Sequence, residues 1–492
     1  MASRPEQFRD RGPIVFKDRG IIPSIFRRRE QKGPEYELYE LSDEAIEVLR
    51  DAYVMEGPHR KLVDFDLVPV SPRDRRALER RKKWHQGPPT KREWTEIVGS
   101  IDELRSRAER IILPRNGKTA ALQLQREFLL AELIAHSTFY RGKTNQEFPF
   151  EEFISLTQGI RPQMIEESTL MAQIDSITKG FGAIDSESIE RYRREHLVSE
   201  ETLPDKMRDY VATYLGTVSD FLGKKITPEL DIEAVKEDDY WIDWIDGDHE
   251  RFSLKINTHP VRHASRWTEG KVEAMAAHEI AGHAAQMESW KNAIDRGELL
   301  RVLGLTSVHY PGQIPIEGFA QTVHLFVPSL HRHFSEHTES ELELEGLRQM
   351  IYNNIHIMVN TTGSTDEEMI AYMHRFLPAE PEDEIRNQIQ ERRDDPVKRT
   401  YLYAYGIGFR LHQWYAGNLT IEGKRELLRF IFSQSTTPEQ EYHYFLQLVS
   451  DRSGRYGSIR APFSDSQTLP SFIDNSSPSS YTLPHGAAGE TA

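Results

Sequence analysis

The stretch Ala276-Ala277-His278-Glu279-Ile280-Ala281-Gly282-His283 holds the residues of this chain best suited to chemistry. Two imidazoles and a carboxylate within about one and a half helical turns have the makeup of a site that holds zinc and activates water for hydrolysis. The spacing is H-E-x-x-x-H, one residue longer than H-E-x-x-H. On an ideal α-helix, residues four apart lie about 40° from one another and residues five apart about 140°, so His278 and His283 would face different sides. A π-bulge absorbs one residue and returns positions i and i+5 to one face, and the flexibility of Gly282 would ease it. The spacing therefore predicts a widened turn between the two histidines.

A hydrolytic zinc site needs three protein ligands and a carboxylate to take a proton from water. The chain has no cysteine, so the ligands must be histidines and carboxylates. His278, His283 and Glu317 are the candidate ligands for one zinc ion, with Glu279 as general base. Glu317 opens the helical pattern Ile316-Glu317-Gly318-Phe319-Ala320-Gln321, where small Gly318 and Ala320 would let that helix approach the first. An exposed carboxylate favoured by a helix start is the plainer reading of Glu317. His259, His263, His309 and His324 read as surface or packed histidines.

The motif His278-Glu279-Ile280-Ala281-Gly282-His283 resembles the H-E-x-x-G-H of dipeptidyl peptidase III. Its pairing with a later E-G-hydrophobic-A looks like the tubulin tyrosine carboxypeptidases. A longer resemblance, over roughly Ile160 to Phe432, is to the bacterial peptidase-like family labelled domain of unknown function 885. It is carried by Gly282-His283-Ala284-Ala285-Gln286, Glu317-Gly318-Phe319-Ala320, His356 ahead of Gly363, Ser364 and Glu367, and Pro396 followed by Tyr405-Gly406-Ile407-Gly408. Ala281, Ala284 and Phe319 depart from that pattern. The resemblance implies a gluzincin-type zinc metallopeptidase in which two histidines and a later glutamate bind the metal. Such enzymes often take an oxyanion donor from a later helix, which makes Tyr405 the first choice and His356 the second, although both also suit a packed core. Arg399 or Arg410 would clamp a substrate carboxylate; either also suits a surface salt bridge.

The elements that must position these residues are mostly helical. Apolar residues recur at three- and four-residue spacing over Ser100–Leu113, Thr119–Tyr140, Phe150–Leu156, Arg161–Lys179, Ser186–Arg194 and Leu203–Leu222. Two runs, Asp238–Ile245 and Arg251–Asn257, flank a turn at Asp246-Gly247-Asp248. The second alternates with period two, so the pair reads as a β-hairpin just before the motif helix, with an edge strand that could bind an extended peptide. Helical patterns resume over Thr268–Ala293, Ile316–Leu325, Ser340–Val359, Thr365–Phe376, Pro381–Arg392, Lys398–Tyr415, Ile421–Phe432 and Pro438–Leu448. Ser364 and Glu367 form a capping box.

Residues 1–95 read as an irregular basic extension with one short helical pattern, Ser42–Tyr53, and basic clusters at Arg27–Arg29 and Arg80–Lys83. Residues 96–452 read as a helical zinc-hydrolase domain. Residues 453–492, rich in Ser and Pro, read as a disordered tail. The net charge of −16 argues against a nucleic-acid partner, which needs a basic face. No run reads as a membrane span or a signal peptide, so the expected compartment is the cytoplasm, and the sequons at Asn360, Asn418 and Asn475 read as chance. The fold expected is mainly α-helical with a small β-hairpin or sheet beside the motif helix. The expected function is zinc-dependent hydrolysis of a peptide or amide bond. A zinc hydrolase of a non-peptide substrate, a non-catalytic metal-binding or peptide-recognition scaffold, and a helical interaction protein with a chance motif stay open.

Overall fold

Apolar residues at helical spacing fold most of the chain into helices. The structure is a computed structural model and describes residues 33–56, 63–70, 89–114, 119–181, 183–238, 243–260, 263, 266–335 and 337–453. The fold is mainly α-helical with one small sheet. Helices that build the site or its support are α1 (Pro34–Glu56), α2 (Ala120–Lys143), α3 (269–295), α4 (Gln313–Phe326), α5 (Thr338–Ile357), α6 (Glu382–Asp394) and α7 (Lys398–Asn418). Among the described residues, no helix is long and apolar enough to cross a membrane.

The sheet has five strands: β1 (Val63–Asp66), β2 (Leu230–Val235), β3 (Asp243–Asp248), β4 (Phe252–Asn257) and β5 (Leu305–Ser307), in the order β2-β4-β3-β1-β5. The expected hairpin is β3 and β4, antiparallel with Ile245 opposite Leu254. Phe252, Leu254 and Ile256 alternate inward, all buried, as the period-two pattern requires. The hairpin is not the sheet's edge, because β2 runs parallel along β4 and β1 pairs with β3. However, β1 reaches only Gly247 and Asp248 of β3. Asp243–Asp246 therefore have no strand on that side among the described residues.

The extension expected over residues 1–95 is a different object where it is described. Helix α1 buries Leu38, Leu41, Ala45, Ile46 and Leu49 in the main core, and β1 sits inside the sheet between β3 and β5. A bidentate pair from Arg50 to Asp66 ties the two together, at 2.6 and 2.8 Å. The basic clusters at Arg27–Arg29 and Arg80–Lys83 lie outside the described residues, as does the expected tail beyond Ser453. The capping box also shifts by one residue. Thr365 and Glu368 make it, while the Ser364 hydroxyl is held by Thr362 at 2.6 Å.

The core sits in two bodies of side chains. The larger spans α1, α2, the sheet, α3, α4 and α7. The smaller lies behind α5, where Leu347 and Ile351 pack with Leu170, Met369, Met373, Ile385 and Ile389. A cleft of about 280 Å³ opens between β3, α3, α4, α5, α6 and α7.

Candidate metal centre

Helix α3 is not a regular α-helix. Its hydrogen-bond ladder widens to π geometry over Ala277–Ala284 and returns to α at Ala285. The widened turn expected from the histidine spacing is therefore present. It swings His283 onto the face of His278, so that their Nε2 atoms lie 3.0 Å apart with the rings nearly perpendicular.

Gly282 serves this arrangement through its size. A Cβ there would come within 2.7 Å of the Ala320 Cβ and 2.8 Å of its Cα. Helix α4 therefore crosses α3 backbone to backbone at the motif. Gly318 does the same on the opposite face of α4, where a Cβ would fall 2.5 Å from the Gly408 carbonyl oxygen on α7. These two contacts set the depth to which Glu317, on the intervening face of α4, enters the cleft.

Glu317 Oε2 is 3.6 Å from His278 Nε2 and 3.6 Å from His283 Nε2. With the 3.0 Å edge between the rings, the three atoms form a nearly regular triangle. The point equidistant from its corners lies about 2 Å from each, which is the bond length of zinc to imidazole nitrogen and carboxylate oxygen. Glu279 is close as well: its Oε1 is 3.7 Å from His278 Nε2, and ligand atoms of His278, Glu279 and His283 fall within 4.8 Å of one another. The two carboxylates differ in placement. Glu317 is equidistant from both rings, whereas Glu279 sits beside one of them.

The polar atoms of this cluster are poorly satisfied by protein. Glu317 Oε2, Glu279 Oε2 and His283 Nδ1 are buried without a hydrogen-bond partner, a costly state unless a further group compensates it. Burial, with His283 and Lys271 nearby, holds the His278 imidazole well below its usual pKa, so it stays in the neutral form that ligates metals. Its side chain keeps a 19% exposed edge in the cleft. Burial also pushes the Glu279 carboxyl well above the usual range, reinforced by the charge and hydrogen bond of Asp243 and by the charge of Glu317. The donor set and its unmet demand fit a dication such as zinc.

Two tyrosines one turn apart on α7 complete the wall. The Tyr401 hydroxyl donates to Glu317 Oε1 at 3.3 Å and lies 2.5 Å from the Tyr405 hydroxyl. Tyr405 thus lines the cleft within a hydrogen-bond chain that ends on a candidate ligand. The three other predicted residues lie elsewhere. His356 is fully buried, with Nε2 3.0 Å from the Arg399 carbonyl oxygen and its ring packed on Phe150 and Tyr403. Arg399 lies over the rings of Phe150 and Phe153, and Arg410 donates to Gln413. None of the three lines the cleft. His356 is in phase with the cleft residues Glu345, Gln349 and Tyr352 of α5, but it lies one turn beyond Tyr352, where α5 packs against Phe150, Tyr403 and the Arg399 carbonyl rather than lining the cleft.

Sequence reasoning missed Asp243, Tyr401 and Arg392. Tyr401 carried a signal, its four-residue spacing from Tyr405. Asp243 and Arg392 reach the cleft through sheet register and helix packing and had none. His309 and His324, read as surface or packed histidines, are buried; His309 stacks on Phe139 and His324 meets His331 edge to face.

No protein-family model and no curated protein matches the chain. Among solved structures it is similar to a candidate lipoprotein from Colwellia psychrerythraea at 10% identity and a TM-score of 0.48, covering 77% of this chain and 73% of that one. It is also similar to a candidate lipoprotein of unknown function from Shewanella oneidensis at 12% identity and a TM-score of 0.46, covering 86% of this chain and 89% of that one.

Proposed function

We propose that this chain is a zinc-dependent hydrolase of peptide or other amide bonds. The observation that carries the proposal is the triangle of His278 Nε2, His283 Nε2 and Glu317 Oε2, with edges of 3.0, 3.6 and 3.6 Å and Glu279 beside it. A zinc ion held by these residues would supply Lewis acidity, polarising a carbonyl and lowering the pKa of water.

The chain's own residues take the remaining roles. Glu279 accepts a proton from the attacking water and passes it to the leaving amine, a task suited to a carboxylate whose proton affinity burial and Asp243 have raised. The Tyr405 hydroxyl donates to the oxygen on which negative charge develops. Tyr401 fixes the orientation of Glu317. Placement within the gluzincin-type peptidases stays part of this proposal, supported by the motif blocks quoted above. So does action in the cytoplasm, which fractionation of cells expressing the full chain tests.

The test is cleavage of a mixed peptide library by zinc-loaded protein, with Glu279→Gln as the comparison. The proposal expects cleavage that Glu279→Gln abolishes while zinc is retained. Full activity in zinc-loaded Glu279→Gln would refute the role of Glu279. A zinc-loaded wild type that cleaves no peptide but hydrolyses small amides would move the substrate away from peptides and keep the chemistry.

A further inference from the structure

The cleft that holds the candidate metal centre also holds a buried cation without an anion. Among the cations lining it, Arg266 makes a bidentate pair with Glu384. Lys271 holds Glu345 at 3.4 Å, and Arg348 holds Glu345 and Glu380 at 2.6 and 3.1 Å. Arg392 has no such partner. Its Nη1 donates to the carbonyl and side-chain oxygens of Gln388 at 3.1 and 2.5 Å, its guanidinium lies 4.5 Å over the Tyr352 ring, and its Nε is buried with no acceptor. The side chain is 1% exposed. Glu391, the neighbouring carboxylate whose charge reaches Arg392, is held by Lys398 at 2.6 Å. Burial lowers the Arg392 guanidinium only to about 10, so it stays charged at neutral pH.

Arg392 lines the same cleft as His278, His283 and Glu317. Thr268 donates to Glu341 and Lys271 to Glu345, so α3 and α5 run parallel at an offset of 73 to 74 residues. Tyr352 lies two turns beyond Glu345 on α5 and also lines the cleft, and Arg392 stacks on it. A second contact agrees. Gly406, next to Tyr405, backs onto Gln349 and Asn353 of α5. The Tyr405 hydroxyl and the Arg392 guanidinium therefore belong to adjoining parts of one wall.

We propose that Arg392 is a specificity-determining residue that receives a carboxylate of the substrate, so that the cleft selects molecules carrying a single negative charge. The inference rests on the hydrolase reading above for the identity of the ligand as a substrate. A buried guanidinium with a free Nε presents the planar fork that matches a carboxylate. One unpaired cation balances one carboxylate charge, whereas a phosphate would bring nearly two. In a peptide the carboxylate comes from the chain end or from an acidic side chain.

Equilibrium binding tests this on zinc-free and on zinc-loaded full chain. The probes are three N-terminally dye-labelled random tetrapeptide pools: one with a free C-terminus, one amidated, and one amidated with a fixed internal glutamate. Glu279→Gln is used throughout, so that nothing is cleaved. The free-acid pool should bind roughly ten- to a hundredfold more tightly than the amide, the size of a charge-assisted hydrogen bond. That preference should vanish in Arg392→Gln and shrink in Arg392→Lys. A weak internal-glutamate pool assigns the chain end; a restored one assigns an acidic side chain. Equal binding of all three pools overturns the proposal, and needs no Arg392 variant to fold. A preference surviving in a folded Arg392→Gln overturns it too. If zinc fails to bind while the acid preference holds, the hydrolase reading falls and Arg392 stands as an anion receptor.

Discussion

His278 Nε2 and His283 Nε2 stand 3.0 Å apart across a five-residue interval. A regular α-helix would separate the two rings by about 140° of rotation. The widened turn over Ala277–Ala284 closes that gap, and Gly282 admits α4 against it. Gly282→Ala improves helix propensity by about 1 kcal/mol. It also places a methyl group 2.8 Å from the Ala320 Cα, an overpacking that costs about 1–3 kcal/mol. The expected result is a lower melting temperature, partly recovered by adding Ala320→Gly. A higher melting temperature for the single variant would mean that the close helix crossing is not needed.

Tyr401 and Tyr405 should separate by phenotype. Tyr401→Phe removes the donor to Glu317, and the loss of such a supporting hydrogen bond lowers metal affinity by roughly 10- to 100-fold. Tyr405→Phe should leave zinc affinity within a few-fold and lower kcat by about 100-fold or more. Zinc competition titrations and steady-state kinetics on both variants check this. An unchanged kcat in Tyr405→Phe removes it from the reaction.

Glu279 carries a stability cost in the zinc-free protein. Its folded pKa is raised by burial and by Asp243, so folding is disfavoured as pH rises above the ordinary carboxylate value. The penalty is present at neutral pH and disappears as pH falls below the ordinary carboxylate value. Metal-free Glu279→Gln should therefore melt above metal-free wild type at pH 7, with the difference shrinking toward pH 4. Differential scanning calorimetry reads it. A less stable Glu279→Gln would show that the carboxylate is paid for by contacts not recognised above.

Acid should destabilise the fold through buried neutral histidines outside the cleft. Burial lowers His136 to about 4, and holds His309 well below its usual value. The unfolded chain takes up these protons below about pH 6.5 while the folded one does not. Stability is therefore full above pH 6.5 and falls as pH drops toward 4, by up to about 1.4 kcal/mol per unit per histidine. His136→Gln should flatten this branch, although it also disturbs the 2.7 Å bond to the Tyr53 hydroxyl. Urea melts from pH 7 to pH 4 measure both slopes, and an equal slope in wild type and variant would contradict the assignment.

The helical body and the β3–β4 hairpin were legible because period and length agree over many residues. The HE segment was legible because a five-residue histidine spacing is intelligible only with a wide turn. Glu317 could be named because Gly318 and Ala320 mark a close helix crossing. The role of β1 was not legible: four residues carry no reliable period, and their place between β3 and β5 is decided by tertiary packing. Helix α1 was read short, since only Ser42–Tyr53 of Pro34–Glu56 drew attention. Arg399, Arg410 and His356 were chosen by type and proximity in sequence; helix phase turned the two arginines away from the cleft, and His356 lies one turn beyond it. Arg392 reaches it from another helix, through a stacking contact that no spacing rule encodes.

Zinc content is the most direct measurement. Metal-stripped full-length chain, titrated with zinc and read by atomic absorption after dialysis, should retain one ion per chain. His278→Ala, His283→Ala and Glu317→Ala should each lower affinity by more than about 100-fold, beyond the loss of a supporting contact. No retained zinc in a folded wild type, or full retention in Glu317→Ala, would contradict the account.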